Sequence, residues 1–113
     1  MYGPIKDSIQ KRNVVELLKE GKDFHNIASH LKIKSETAEV YAIDLMVANK
    51  VVEPTNFYRL LGVSEEVFKN VEHEIRVGDG RLRSIKEKYP DTTYNQIRFV
   101  LASLIMDITD FDL

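Results

Sequence analysis

Apolar residues in this chain recur at three- and four-residue steps, the period that gathers side chains on one face of an α-helix. The clearest run lies between Gly21 and Lys50. Phe24, Ile27, Ala28 and Leu31 share a face, and Asp23 stands where its carboxylate can accept a bond from an otherwise free N–H. Lys32-Ile33-Lys34 interrupts the pattern, and Ser35 is placed to cap a second helix over 36–49. The small Ala28 permits close approach and Ile33 fills the corner, so the spacing predicts a helix-turn-helix.

The second helix carries two apolar sides. Ala38, Tyr41, Ala42, Leu45 and Ala48 face the preceding helices, whereas Val40, Ile43 and Val47 form an opposite stripe bordered by Glu36, Glu39 and Asp44. A helix that reads the major groove presents Arg, Lys, Asn, Gln or hydroxyl groups at such positions. Valine, isoleucine and carboxylates make a poor reader. The Val40-Ile43-Val47 stripe is expected to meet either the rest of the chain or another protein.

The same period places the other elements. A first helix starts at Asp7 or Ser8, turns Ile9, Val14, Leu17 and Leu18 inward, and ends at Gly21, which tolerates the left-handed backbone of a helix exit. Residues 50–54 read as a brief extended segment, where a winged helix would place a strand, and Pro54 confines it to an edge. A short helix over 56–61 carries Phe57, Leu60 and Leu61. Ser64 caps the next helix, with Val67, Phe68, Val71 and Ile75 inward and Gly78-Asp79-Gly80 closing it. Leu82, Ile85 and Tyr89 mark a short helix over 81–89. Thr92 or Thr93 caps the last, in which Tyr94, Ile97, Leu101, Leu104 and Ile105 bury and Phe99 and Val100 broaden the apolar surface.

The predicted fold class is all-α: a helix-turn-helix, with or without a wing, plus a helical C-terminal half. The expected organisation is one domain over 1–113, with a helix-turn-helix half over 6–54, a helical half over 55–107 sharing its core, and an acidic tail over 108–113. The first few residues read as a lead-in without a secretory leader. The tail carries Ile108, Phe111 and Leu113 among aspartates, the composition of a short docking peptide. Phe111 thus joins Val40, Ile43 and Val47 as a candidate partner contact.

Charge narrows the choice of ligand. The 113 residues hold 16 basic and 18 acidic side chains, a net charge of −2, without the basic surplus that phosphate contacts demand of a dedicated nucleic-acid binder. Distribution can compensate. Arg76, Arg81, Arg83, Lys86 and Lys88 fall close together, and Lys32 and Lys34 project from the predicted turn. This group is the one credible phosphate footprint, and it would hold backbone without reading sequence. The competing reading is a solvated face with ion pairs to Glu74, Asp79 and Glu87.

Catalytic chemistry finds little support. The chain has no cysteine, which removes disulfides, thiolate metal sites and thiol nucleophiles. No Gly-x-x-x-x-Gly-Lys-Ser/Thr loop is present, so the chain is no helicase motor, and Gly78-Asp79-Gly80 lacks the lysine that would reach phosphate. His25 and His30 are five residues apart, off the i, i+4 spacing of a metal pair, and His73 lies on a solvated helix side. Glu65-Glu66 sits at a helix start, where the macrodipole accounts for both charges. There is no Gly-x-Ser-x-Gly elbow. No cofactor, metal or small-molecule substrate is expected, and the short apolar runs give no membrane span.

Four segments together carry a family resemblance. They are Leu18-Lys19-Glu20-Gly21-Lys22 followed by Ile27-Ala28; Ser35-Glu36-Thr37-Ala38; Gly62-Val63-Ser64-Glu65-Glu66-Val67; and Thr93-Tyr94-Asn95-Gln96-Ile97-Arg98-Phe99-Val100-Leu101-Ala102. In order and spacing the chain resembles the helix-turn-helix domain at the C-terminal end of RecQ-family DNA helicases, the Werner type included. It departs from the family's Thr-Ile-x-x-His-Leu pattern at Thr37-Ala38-Glu39-Val40-Tyr41-Ala42. The resemblance implies a non-catalytic accessory module of such a helicase, helping to engage DNA in repair or recombination, beside a motor elsewhere in the parent protein. The alternative is a protein-interaction or dimerisation module on the same scaffold, favoured by the net acidity and the carboxylates of the second helix. Weak backbone-directed DNA contact and a protein partner or parent motor are the expected associations. An intracellular location follows: nuclear in a eukaryote, cytoplasmic in a bacterium.

Overall fold

Asp23 does what its position predicts: its carboxylate accepts from the Asn26 backbone N–H at 2.8 Å and starts a helix that runs from Phe24 to Leu31. The computed structural model describes residues 9–49 and 58–107. Within them lie α1 (Ile9–Lys19), α2 (Phe24–Leu31), α3 (Ser35–Asn49), α4 (Glu65–Val77), α5 (Leu82–Lys88) and α6 (Tyr94–Ile105). The described residues form helices and turns and no strand, so the all-α class holds. The extended segment expected over 50–54, the helix start at Asp7 or Ser8, Phe57, and the 108–113 tail with Phe111 lie outside the described residues.

Local chemistry sets most boundaries. Gly21 exits α1 at φ +88°, with its N–H on the Leu18 carbonyl and the Lys22 N–H on that of Leu17. Ser64 caps α4 through the Val67 N–H. Thr93 caps α6 in a full capping box: its hydroxyl accepts from the Gln96 N–H while the Gln96 side chain accepts from the Thr93 N–H. Ser35 is the first residue of α3 rather than a cap outside it.

Two helices organise the packing. α3 lies against α1, α2 and α6, and α6 lies against α3, α4 and α5. The helix-turn-helix half is thus built around α3, the second half around α6, and contact between these two makes one core. Val14, Leu18, Phe24, Ile27, Ala38, Ala42, Ile43 and Met46 meet Phe68, Val71, Ile85, Ile97, Phe99 and Val100 in one continuous cluster. Polar ties cross the same seam. The buried Asn95 amide of α6 donates to the Glu36 carbonyl at 3.1 Å and to the Glu39 carboxylate at 2.8 Å. Within the second half, Gln96 donates to the Leu61 carbonyl at 2.7 Å. No buried side-chain nitrogen or oxygen among the described residues lacks a partner, which such a polar seam requires.

Several inward positions expected from periodicity are exposed instead. Ile9, the first residue of α1, is 77% exposed. Ile105 is 54% exposed at the last turn of α6 and Tyr94 is 40% exposed at the first. Ala48 is exposed in the same way near the end of α3. Residues 58–62 form turns rather than the end of a helix, so the inward positions are Tyr58 and Leu61 while Leu60 is exposed. Tyr58 packs on Phe99, ring centroids 6.1 Å apart and tilted 37°.

Candidate nucleic-acid interface

A helix-turn-helix reads DNA with its second helix, so the surface of α3 decides what this scaffold can touch. Little of that surface is free. Ala38, Ala42, Ile43, Leu45 and Met46 are buried, and Val40, Tyr41 and Val47 are half-buried. Of the Val40-Ile43-Val47 stripe expected to meet the chain or a partner, Ile43 lies in the core with no exposed surface, Val47 packs against that core, and Val40 is half-buried. Two of the three bordering carboxylates are also engaged: Glu39 by Asn95 of α6, and Asp44 by Lys11 of α1 at 3.0 Å, with both side chains of that pair largely buried.

The basic residues divide by what they bond. Arg76 pairs with Glu72 at 3.1 Å and Arg83 with Glu87 at 3.2 Å, both one helical turn apart. Lys88 reaches across from α5 to Glu74 of α4 at 2.6 Å. That contact holds the Lys88 ammonium above the usual lysine range, by hydrogen bond and then by charge. Arg81 precedes α5, and its backbone N–H donates to Asp79 at 3.0 Å. Lys86 differs from these: its ammonium donates to the carbonyls of Pro90 at 2.6 Å and Thr92 at 2.9 Å, so its charge stays uncompensated by a carboxylate. Lys32 and Lys34 lie in the α2–α3 turn, on elements that pack with α1 rather than with α5. The structure therefore groups Arg76, Arg81, Arg83, Lys86 and Lys88 around α4 and α5 and sets Lys32 and Lys34 apart in the turn between α2 and α3.

Two features escaped the linear reading. The first is Arg98 of α6, whose guanidinium lies 5.8 Å from the centroid of the exposed Tyr94 ring, with Lys86 at 6.0 Å from the same centroid. The i, i+4 spacing of Tyr94 and Arg98 is legible in the sequence; the approach of Lys86 from α5 is not. The second is a groove of about 270 Å³ lined by Leu17, Lys22, Asn26, Ile27 and His30, with no carboxylate in its wall. Asn26 and His30 stand four residues apart on α2, and Lys22 precedes the helix.

Among the described residues no three His, Asp or Glu side chains converge as a metal site would require. No helix of the described residues is long and apolar enough to cross a membrane. Comparison with curated proteins and with solved structures returned no match. Comparison with family models returned a family described as a helix-turn-helix domain, matched over residues 10–101. That span begins in α1 and ends in α6, covering all six helices, and no catalytic family is indicated. By this match, and by the α2–turn–α3 unit at its centre, the chain belongs to that helix-turn-helix domain family.

Proposed function

We propose that this chain is a non-catalytic accessory module of a RecQ-like DNA helicase, one that holds nucleic acid by its phosphates and leaves base sequence unread. The observation that carries the reading is the surface of α3: packed by α1, α2 and α6, it leaves carboxylates and half-buried apolar side chains, rather than base-reading donors, for a major groove. Exposed cations on other elements (Lys22, Lys32, Lys34, Arg81) supply charge for backbone contact. The four segments that resemble the RecQ C-terminal domain support the helicase context.

Fluorescence anisotropy of the whole chain against unrelated duplex and single-stranded oligonucleotides tests this. Affinity should be the same for unrelated sequences of one strandedness, and its logarithm should fall linearly with the logarithm of salt concentration. A strong preference for one duplex sequence would overturn it.

A second reading rests on a different observation. Arg76, Arg83 and Lys88 are spent on Glu72, Glu87 and Glu74, and the net charge is −2, which suits a module that docks on a protein. Absence of binding to any DNA at low salt, together with self-association in sedimentation, favours that reading.

A further inference from the structure

Tyr94 is the one aromatic side chain among the described residues that is exposed: Phe24, Tyr58, Phe68 and Phe99 are buried, and Tyr41 and Tyr89 are half-buried. It is also the one with two cations at its ring, Lys86 from α5 and Arg98 from α6. Both are fixed by neutral oxygens. Lys86 is bound to the Pro90 and Thr92 carbonyls, and Arg98 donates to the Asn95 side-chain oxygen at 2.7 Å. Asn95 in turn donates to Glu39, so the nearest carboxylate on that path orients Asn95 and is one side chain removed from Arg98. Among the described residues neither cation forms an ion pair, in contrast to Arg76, Arg83 and Lys88.

We propose that Tyr94, Lys86 and Arg98 form a site for one unpaired nucleotide of a single strand: the two cations, which lie over the Tyr94 ring in the free chain, move off it to the adjoining phosphate, and the base takes their place on the ring. An exposed ring with positive charge close by is the combination by which proteins hold single strands without reading sequence. A duplex keeps its bases stacked and cannot use the ring. The site rests on the nucleic-acid reading above and adds to it a preference for single strands.

The test is anisotropy of the whole chain with labelled oligothymidylate and a mixed-sequence duplex, at low salt and across a salt series. The wild-type chain should bind the single strand more tightly. Tyr94→Ala and Tyr94→Leu should each lose about tenfold on the single strand, with duplex affinity and melting temperature unchanged, and Tyr94→Phe should bind as wild type. Arg98→Gln, which retains a donor for Asn95, should lower the salt slope by about one. If Tyr94→Leu binds the single strand as well as wild type does, the site is overturned while phosphate-directed binding stands. If the wild-type chain prefers duplex, the site is likewise overturned. If it binds neither DNA, both fall.

Discussion

Lys32 carries a backbone conformation its side chain disfavours. It ends α2 at φ +57°, in the left-handed region, with its N–H on the Ala28 carbonyl, and the Ile33 N–H shares that acceptor. The turn of the helix-turn-helix depends on this reversal, and a Cβ there is strained. Lys32→Gly should raise stability by about 0.5–1 kcal/mol in denaturant unfolding, glycine's added freedom in the unfolded chain offsetting part of the relief. Gly62 is the converse case: at φ +75°, an added Cβ would meet the Gln96 side-chain nitrogen at 3.1 Å. Gly62→Ala should lower stability by about 1–2 kcal/mol and weaken the Gln96–Leu61 tie, visible as a lowered midpoint in the same titration. Gly62 was legible as a stop because glycine is common there. Lys32 was not, because a lysine in that conformation leaves no mark on the pattern.

At the scale of the element, α5 shows how a stop for one helix starts the next. It is seven residues long, and Arg81 at its N-cap supplies no side-chain bond. Asp79 supplies it from two residues earlier, accepting from the Arg81 N–H at 3.0 Å and from the Ser84 hydroxyl at 2.8 Å. These bonds, the Arg81 N–H first, hold the Asp79 carboxyl below the usual carboxylate range. A depressed folded-state pKa gives stability that is present above the ordinary carboxylate value and lost as pH falls through the folded one. The stability gap between wild type and Asp79→Ala should therefore narrow below about pH 4, as followed by thermal melts across a pH series. Periodicity read Gly78-Asp79-Gly80 as punctuation alone. The caps at Asp23, Ser64 and Thr93 were legible because they sit immediately before apolar runs, and Asp79 does not. The ends of α1 and α6 were misread for a related reason: Ile9, Tyr94 and Ile105 keep the helical period, but the period cannot say where a neighbouring helix stops covering it.

At the scale of the molecule, the sequence made both sides of α3 apolar, and the structure shows why. α3 packs against α1, α2 and α6, and so joins two halves that share one core. Linear pattern named the stripe but could not name its occupant, since a partner and a distant helix of the same chain ask for the same residues. The basic residues were harder still. Their number was legible, but which ones face a carboxylate depends on α5 lying beside α4, as in the Lys88–Glu74 pair. Ile43→Ala should cost about 2–5 kcal/mol, because a fully buried side chain leaves a cavity, whereas Ile43→Asp should unfold the chain outright; circular dichroism separates the two. The account turns on α3 being the seam of one cooperative core rather than a helix held out for DNA, and native-state hydrogen exchange tests that most directly. The amides of α3 and those of α6 should exchange only through global unfolding, with equal free energies. Exchange of α3 through an opening that leaves α6 protected would contradict it.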